Sequence, residues 1–190
     1  MNNDEAIELK RYTDEEFYEY LDNNDVKAEL IDGFIIVDMG QPSPLHQRLS
    51  FLFTMSIYNF IKKNKKRCEA YQETEVRFDK DNVVVPDVFV TCKPENVDDK
   101  RMNGAPEFII EIVSGNRFSD YARKLSLYKE QGVREYWIVD PKKEQVTVWF
   151  FEDEGSPYFY KFDEEITVRM TEGSEPLIIN IKALLAPDNT

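Results

Sequence analysis

The sequence predicts a mixed α/β fold: a β-sheet flanked by helices, with antiparallel hairpins added to it. Two stretches carry that expectation. Residues 108–139 read as strand, helix, strand, a unit whose right-handed crossover joins parallel neighbours. Residues 28–37 read as two short strands around Asp32-Gly33, the dipeptide suited to a tight type I′ turn and so to an antiparallel pair. A chain of 190 residues with 42% hydrophobic content is the size of one domain, and it can bury a full core without disulfides or structural metals. A single domain over residues 1–190 is therefore expected.

The elements follow in order. Thr13, with Glu16 three residues on, is a capping-box pattern that starts a short helix running to about Leu21. After the hairpin, Pro42-Ser43-Pro44 leads into the longest helix, residues 45–63, where Leu49, Leu52, Phe53, Ile57, Phe60 and Ile61 recur at helical spacing. Strands are expected over 69–78 and 83–90, then a polar stretch over 93–105, then a strand over 108–113. Residues 119–131 have helical spacing through Tyr121, Leu125 and Tyr128, and Gly132 suits the left-handed residue that ends a helix. Short strands over 135–139, 145–151, 158–162, 166–170 and 177–181 and a helical turn over 182–186 complete the pattern, without repeats or linkers.

The formal charge of −13 excludes general attraction of the whole molecule to nucleic acid or anionic membrane. A polyanionic partner must meet a local basic surface, and Lys62, Lys63, Lys65, Lys66 and Arg67 supply one candidate. The same cations also complement the macrodipole at a helix C-terminus. No run of 18 apolar residues and no signal-peptide pattern is present, so a cytoplasmic protein without membrane attachment is expected. Cys68 and Cys92 lack CxxC spacing and read as reduced thiols. The aromatic residues crowding positions 136–160 read as core or subunit interface, with base stacking as a lesser use.

Two acids stand out. Strand alternation places Glu111 with Ile109 and Val113, opposite Phe108, Ile110 and Ile112, so both faces of its strand are apolar. The same test puts Asp87 on the face of Val83, Val85 and Phe89. Ionised carboxylates in such places are costly unless paired or bound to a cation, and a shared divalent metal would neutralise both. A strand acid also marks an exposed end or a salt bridge. Pro86 cannot donate to a sheet ladder, which points to a place where the sheet parts beside Asp87. Lys124 lies on the helix after the Glu111 strand, one face of which carries Asp120, Lys124 and Tyr128; Asp120 and Lys124 alone would read as a surface pair.

Pro86-Asp87 followed by Glu111-Ile112-Val113 resembles the PD-(D/E)xK restriction-endonuclease-like superfamily. The segments AELIDGFII, PLHQRL, VVPDVFV, PEFIIEIVS and D-x-x-x-K-x-x-x-Y before GVREYWIVDP are similar to the Uma-type endonuclease family over nearly the whole chain. The resemblance implies a restriction-endonuclease-like mixed sheet in which Asp87, Glu111 and the Ile112 carbonyl bind Mg²⁺ or Mn²⁺. Val113 stands where the simplest motif has lysine, and the resemblance offers Lys124 as its migrated substitute. Glu29 and His46 match family positions bordering the same site, although Glu29 also suits a hairpin edge and His46 a helix entry. The implied function is metal-dependent hydrolysis of nucleic-acid phosphodiesters, DNA above all, by a homodimer. A catalytically silent nucleic-acid-binding or assembly protein on the same fold is the alternative, and a hydrolase of small phosphodiesters is a third.

Overall fold

The computed structural model describes residues 10–38, 40–114, 118–153, 155–169 and 175–187, with only the backbone of 38 and 118–120. The Asp120 side chain, the loop 115–117 and residue 170 of an expected strand lie outside the described residues.

Helix α1 (Asp14–Asn23) begins at the reciprocal Thr13/Glu16 cap and buries Phe17 against Leu30 and Val83. Strands β1 (Lys27–Ile31) and β2 (Phe34–Asp38) form the expected hairpin. Its turn has φ of 53° at Asp32 and 76° at Gly33, the left-handed pair that a type I′ turn demands. A side chain at Gly33 would also press on Arg11, whose guanidinium donates to the Asp32 carbonyl.

Helix α2 (Pro44–Lys63) starts at Ser43, whose hydroxyl accepts from the His46 N–H. The next two strands differ from expectation. The single strand read over 69–78 is two, β3 (Glu69–Gln72) and β4 (Val76–Asp79), and that over 83–90 is β5 (Asn82–Val84) and β6 (Val88–Thr91). Together they make one long hairpin that leaves one sheet and enters another. The break has physical causes on both arms: Pro86 has no N–H to contribute, and Glu73 takes a left-handed φ of 47°.

Five strands in the order β2-β1-β5-β4-β7 form the first sheet, where β7 (Met102–Asn103) emerges from the polar stretch 93–105 beside β4. Six form the second, β11-β10-β9-β8-β6-β3, with β8 (Phe108–Ile112), β9 (Glu135–Asp140), β10 (Gln145–Phe150) and β11 (Tyr158–Lys161). β8 and β9 run parallel, joined as expected through helix α3 (Phe118–Glu130). After α3, Gly132 at φ 86° donates to the Lys129 carbonyl and Val133 to that of Tyr128, a Schellman cap. A ribbon of β12 (Ile166–Val168) and β13 (Leu177–Ile179) precedes helix α4 (Ile181–Leu185), which begins a residue earlier than the sequence suggested.

The second sheet is covered on both faces. Leu49, Phe53, Ile57 and Ile61 of α2 pack on Val88, Val90, Phe108, Ile110 and Trp137. On the other face Leu127 and Tyr128 of α3 meet Phe89, Ile109 and Tyr136, together with Val76, Val84 and Met102 of the first sheet. Glu111, with Ile109, points to this α3 side, as alternation required.

Cys68 and Cys92 are joined as a disulfide rather than standing as reduced thiols. Extending the β3/β6 register beyond Glu69↔Thr91 sets them directly opposite, a pairing invisible until the strands are aligned. Tyr136 and Trp137 are core residues as read, whereas Tyr158 and Phe159 stand exposed on the edge strand β11. No helix among the described residues is long and apolar enough to cross a membrane.

Phe53 has no exposed surface and meets Trp137 edge to face, so Phe53→Ala should cost about 3–5 kcal/mol. Urea unfolding is the measurement, and a loss below about 1 kcal/mol would show that α2 is not anchored there.

Candidate functional site

Five residues expected to share a site come from four elements and one strand break, and the fold brings all five to one pocket of about 690 Å³. Each has a local reason for its position. Continuing the β6/β8 register past Val88↔Ile110 would set Pro86 opposite Ile112. The Ile112 N–H donates instead to Asp87 Oδ2 at 2.6 Å, so the carboxylate takes the place of the missing ladder partner. His46, on the first turn of α2, points Nε2 at the same oxygen at 3.2 Å. Ser50, one turn later, donates to the Asp87 carbonyl at 3.2 Å, and so does the Glu73 N–H at 3.2 Å.

Glu111 is 5% exposed and Lys124 8%. Lys124 Nζ donates to Glu111 Oε1 at 2.9 Å and to Glu29 Oε1 at 2.8 Å, which answers whether a lysine on α3 reaches back to the strand. Tyr128, one turn along α3, donates to Glu111 Oε1 at 2.7 Å. Glu29 Oε1 also accepts from the Val85 N–H at 2.9 Å, so β1 holds the strand break as well as the lysine.

The electrostatics follow from burial. Burial tends to discharge Lys124, but Glu111 and Glu29 outweigh it and hold the ammonium well above the ordinary lysine range. Burial pushes the Glu111 carboxyl up to about 7; Lys124 opposes this, while Asp87 and Glu29 add to it. Burial also works against a proton on His46, yet the Asp87 hydrogen bond and charge carry it above its usual value. Its Nδ1 is buried and has no partner among the described residues.

Among the described residues, the hydrogen bonds to the two strand carboxylates fall on one oxygen of each, Asp87 Oδ2 and Glu111 Oε1. Asp87 Oδ1 and Glu111 Oε2 therefore have no protein partner among the described residues. The Ile112 carbonyl accepts a long bond from Tyr121, at 3.4 Å. Two carboxylate oxygens and a carbonyl form an all-oxygen donor set, which fits a hard divalent cation. No group of three or more His, Cys, Asp or Glu among the described residues is placed to hold a metal, so such a site would draw on the main chain and water.

Sequence reading missed Glu73, Ser50, Tyr121 and the role of Tyr128. The signals for Tyr128 and Ser50 were present, since each stands four residues beyond a chosen residue, Lys124 or His46, on the same helix face. Nothing local marked Glu73. The basic segment 62–67 lies at the far end of α2, about 24 Å along the axis from His46. Lys63 there pairs with Glu175 and Arg67 with Glu95, so this segment does not line the pocket.

Among solved structures, a protein of Anabaena variabilis ATCC 29413 described as "a putative nuclease belonging to DUF820" is similar over 85% of this chain and 90% of its own. The TM-score is 0.69 at 20% identity, which establishes a shared restriction-endonuclease-like fold. Residues 14–175 match the model of the family "Uma2: Putative restriction endonuclease", and the chain belongs to that family. No curated protein matches.

A pH dependence follows for the protein in chelator. The Glu111 carboxyl, raised from 4.5 to about 7, contributes stability that is complete below about pH 4.5 and lost as pH rises through 7. In thermal unfolding from pH 5 to 8, wild type should lose stability relative to Glu111→Gln. A difference that stays flat over that range would show Glu111 ionised throughout.

Proposed function

We propose that this protein is a metal-dependent endonuclease that hydrolyses nucleic-acid phosphodiesters, DNA first among them. The observation that carries the reading is the convergence of Asp87, Glu111 and Lys124, from a strand break, a strand and a helix, on one pocket with an all-oxygen donor set beside a lysine. Asp87 Oδ1, Glu111 Oε2 and the Ile112 carbonyl would hold Mg²⁺ or Mn²⁺, which when bound polarises a phosphate oxygen and lowers the pKa of its water.

The chain's own groups divide the remaining work. Lys124 is a fixed positive charge at the pocket wall, suited to stabilise the negative charge that grows on a phosphate in hydrolysis. Its position is set by Glu29, which keeps the ammonium from leaning wholly on Glu111. Tyr128, whose hydroxyl burial and the Glu111 charge keep protonated, orients that carboxylate. His46 and the Ile112 N–H hold Asp87 through Oδ2, leaving Oδ1 without a partner among the described residues. Val113 in the usual lysine place is thus no obstacle, because Lys124 delivers the ammonium from α3.

The pocket also explains how an acidic protein could handle an anion. Glu29, Glu73, Glu75, Asp87 and Glu111 line it against Lys27 and Lys124. A phosphate entering alone meets a surplus of negative charge, and a divalent cation removes it.

Calorimetric titration with Mn²⁺ should show binding that weakens at least about 10–100-fold in Asp87→Ala and in Glu111→Ala, with cleavage of DNA lost in parallel. Lys124→Met should retain metal binding and lose about 10²–10³-fold in cleavage rate. Wild type that binds no Mn²⁺ would sink the reading and favour an interaction protein.

A further inference from the structure

We propose that the pocket beside the carboxylates is a nucleobase pocket, and that the nucleotide to be cut enters it unpaired. The inference rests on the nuclease reading of Asp87, Glu111 and Lys124, and it names the substrate class: single-stranded nucleic acid, or a nucleotide displaced from a duplex.

The first observation is depth. Glu111 and Lys124 are almost wholly buried, so the reacting groups sit at the wall of a concavity and not on a ridge. A volume of about 690 Å³ falls within the roughly 300–1,000 Å³ of pockets that enclose one small molecule. That space suits a nucleotide, whereas a stacked duplex presents its phosphates on a broad convex surface. Bringing a phosphate to Lys124 therefore requires its nucleotide to leave the stack.

The second is the mixed chemistry of the lining. Asp87, Glu111, Lys124 and His46 carry its polar groups, while Leu21, Val26, Ile36, Val37 and Pro42 are lining residues without a polar side-chain atom. Val26, Val37 and Val85 all line this pocket, yet remain 39%, 38% and 40% exposed. A wall of that kind offers van der Waals surface to the flat face of any base and no hydrogen-bond readout, so tolerance of base identity follows. Lys27, two residues before Glu29 and so on the same face of β1, adds a cation at the pocket where an adjacent phosphate of the strand would pass.

The test uses the full chain and labelled oligonucleotides of one sequence: a single strand, the perfect duplex, and the duplex with one bulged nucleotide. In Mn²⁺, the single strand and the bulge should be cut about 10-fold or more faster than the perfect duplex, a difference that reflects the energy of unpairing a base. Removing the base at the mapped cut site should weaken binding by about 5–10-fold, read by fluorescence anisotropy in Ca²⁺ without turnover. The Val26→Ser, Val37→Ser double variant, which touches neither the core nor the catalytic groups, should raise KM by about the same factor and leave kcat within about 2-fold. It should lose nothing further on the abasic strand. A perfect duplex cut as fast as the single strand, or an abasic strand bound as tightly as its parent, overturns the base pocket and leaves the nuclease reading standing. Preferential binding of single strands with no cleavage of any strand overturns the nuclease reading alone.

Discussion

An ammonium buried between two carboxylates is the interaction on which the site depends. Lys124 reaches from α3 to Glu111 on the second sheet and to Glu29 on the first, so one charge ties the two sheets and the helix packed between them. Removing the lysine leaves two carboxylates facing each other without their shared cation, and such breakage is among the costlier changes a fold can suffer, whereas removing one carboxylate leaves a lysine–glutamate pair. The triad therefore joins the sheet junction and the pocket wall in one set of contacts.

The strand break is the second constraint. Two long strands cross from one sheet to the other, and at the crossing both arms lose ladder pairing at once. Pro86 has no N–H to offer the Ile112 carbonyl, Asp87 accepts the Ile112 N–H in place of a ladder carbonyl, and Glu29 accepts that of Val85. Two N–H groups at the break are thus answered by carboxylates. Satisfying the backbone at a sheet junction thus brings Asp87 and Glu29 to one point.

Helix α2 links this point to the rest of the molecule. Its apolar stripe lies across the second sheet, and its capped first turn places His46 against Asp87. Its last turns carry the basic segment to the opposite end, where local acids pair with it. Charge that looked like a nucleic-acid surface is thereby separated from the chemistry by the length of a helix. Among the described residues, the lysines that line the pocket are Lys27 and Lys124.

The sequence by itself determined the type and order of most elements, the Asp32-Gly33 turn, the caps at Thr13 and Gly132, and the two acids in apolar strands. These are local matters, settled by alternation, helical spacing and backbone permissiveness within a few residues. It also marked Pro86 as the place where pairing fails. Only the tertiary structure decided that the strands at 69–79 and 82–91 divide between two sheets, because a break becomes visible only when both arms lose their partners. Only the register of β3 on β6 set Cys68 opposite Cys92. Tyr128, Ser50 and Glu73 joined the site through contacts spanning 17 to 37 residues and a backbone bond across the strand break. The sign and strength of a buried charge depend on such partners. Glu111 could be read from its strand as an acid out of place; the reason it is tolerated lay in a lysine on the next helix and a glutamate from the other sheet.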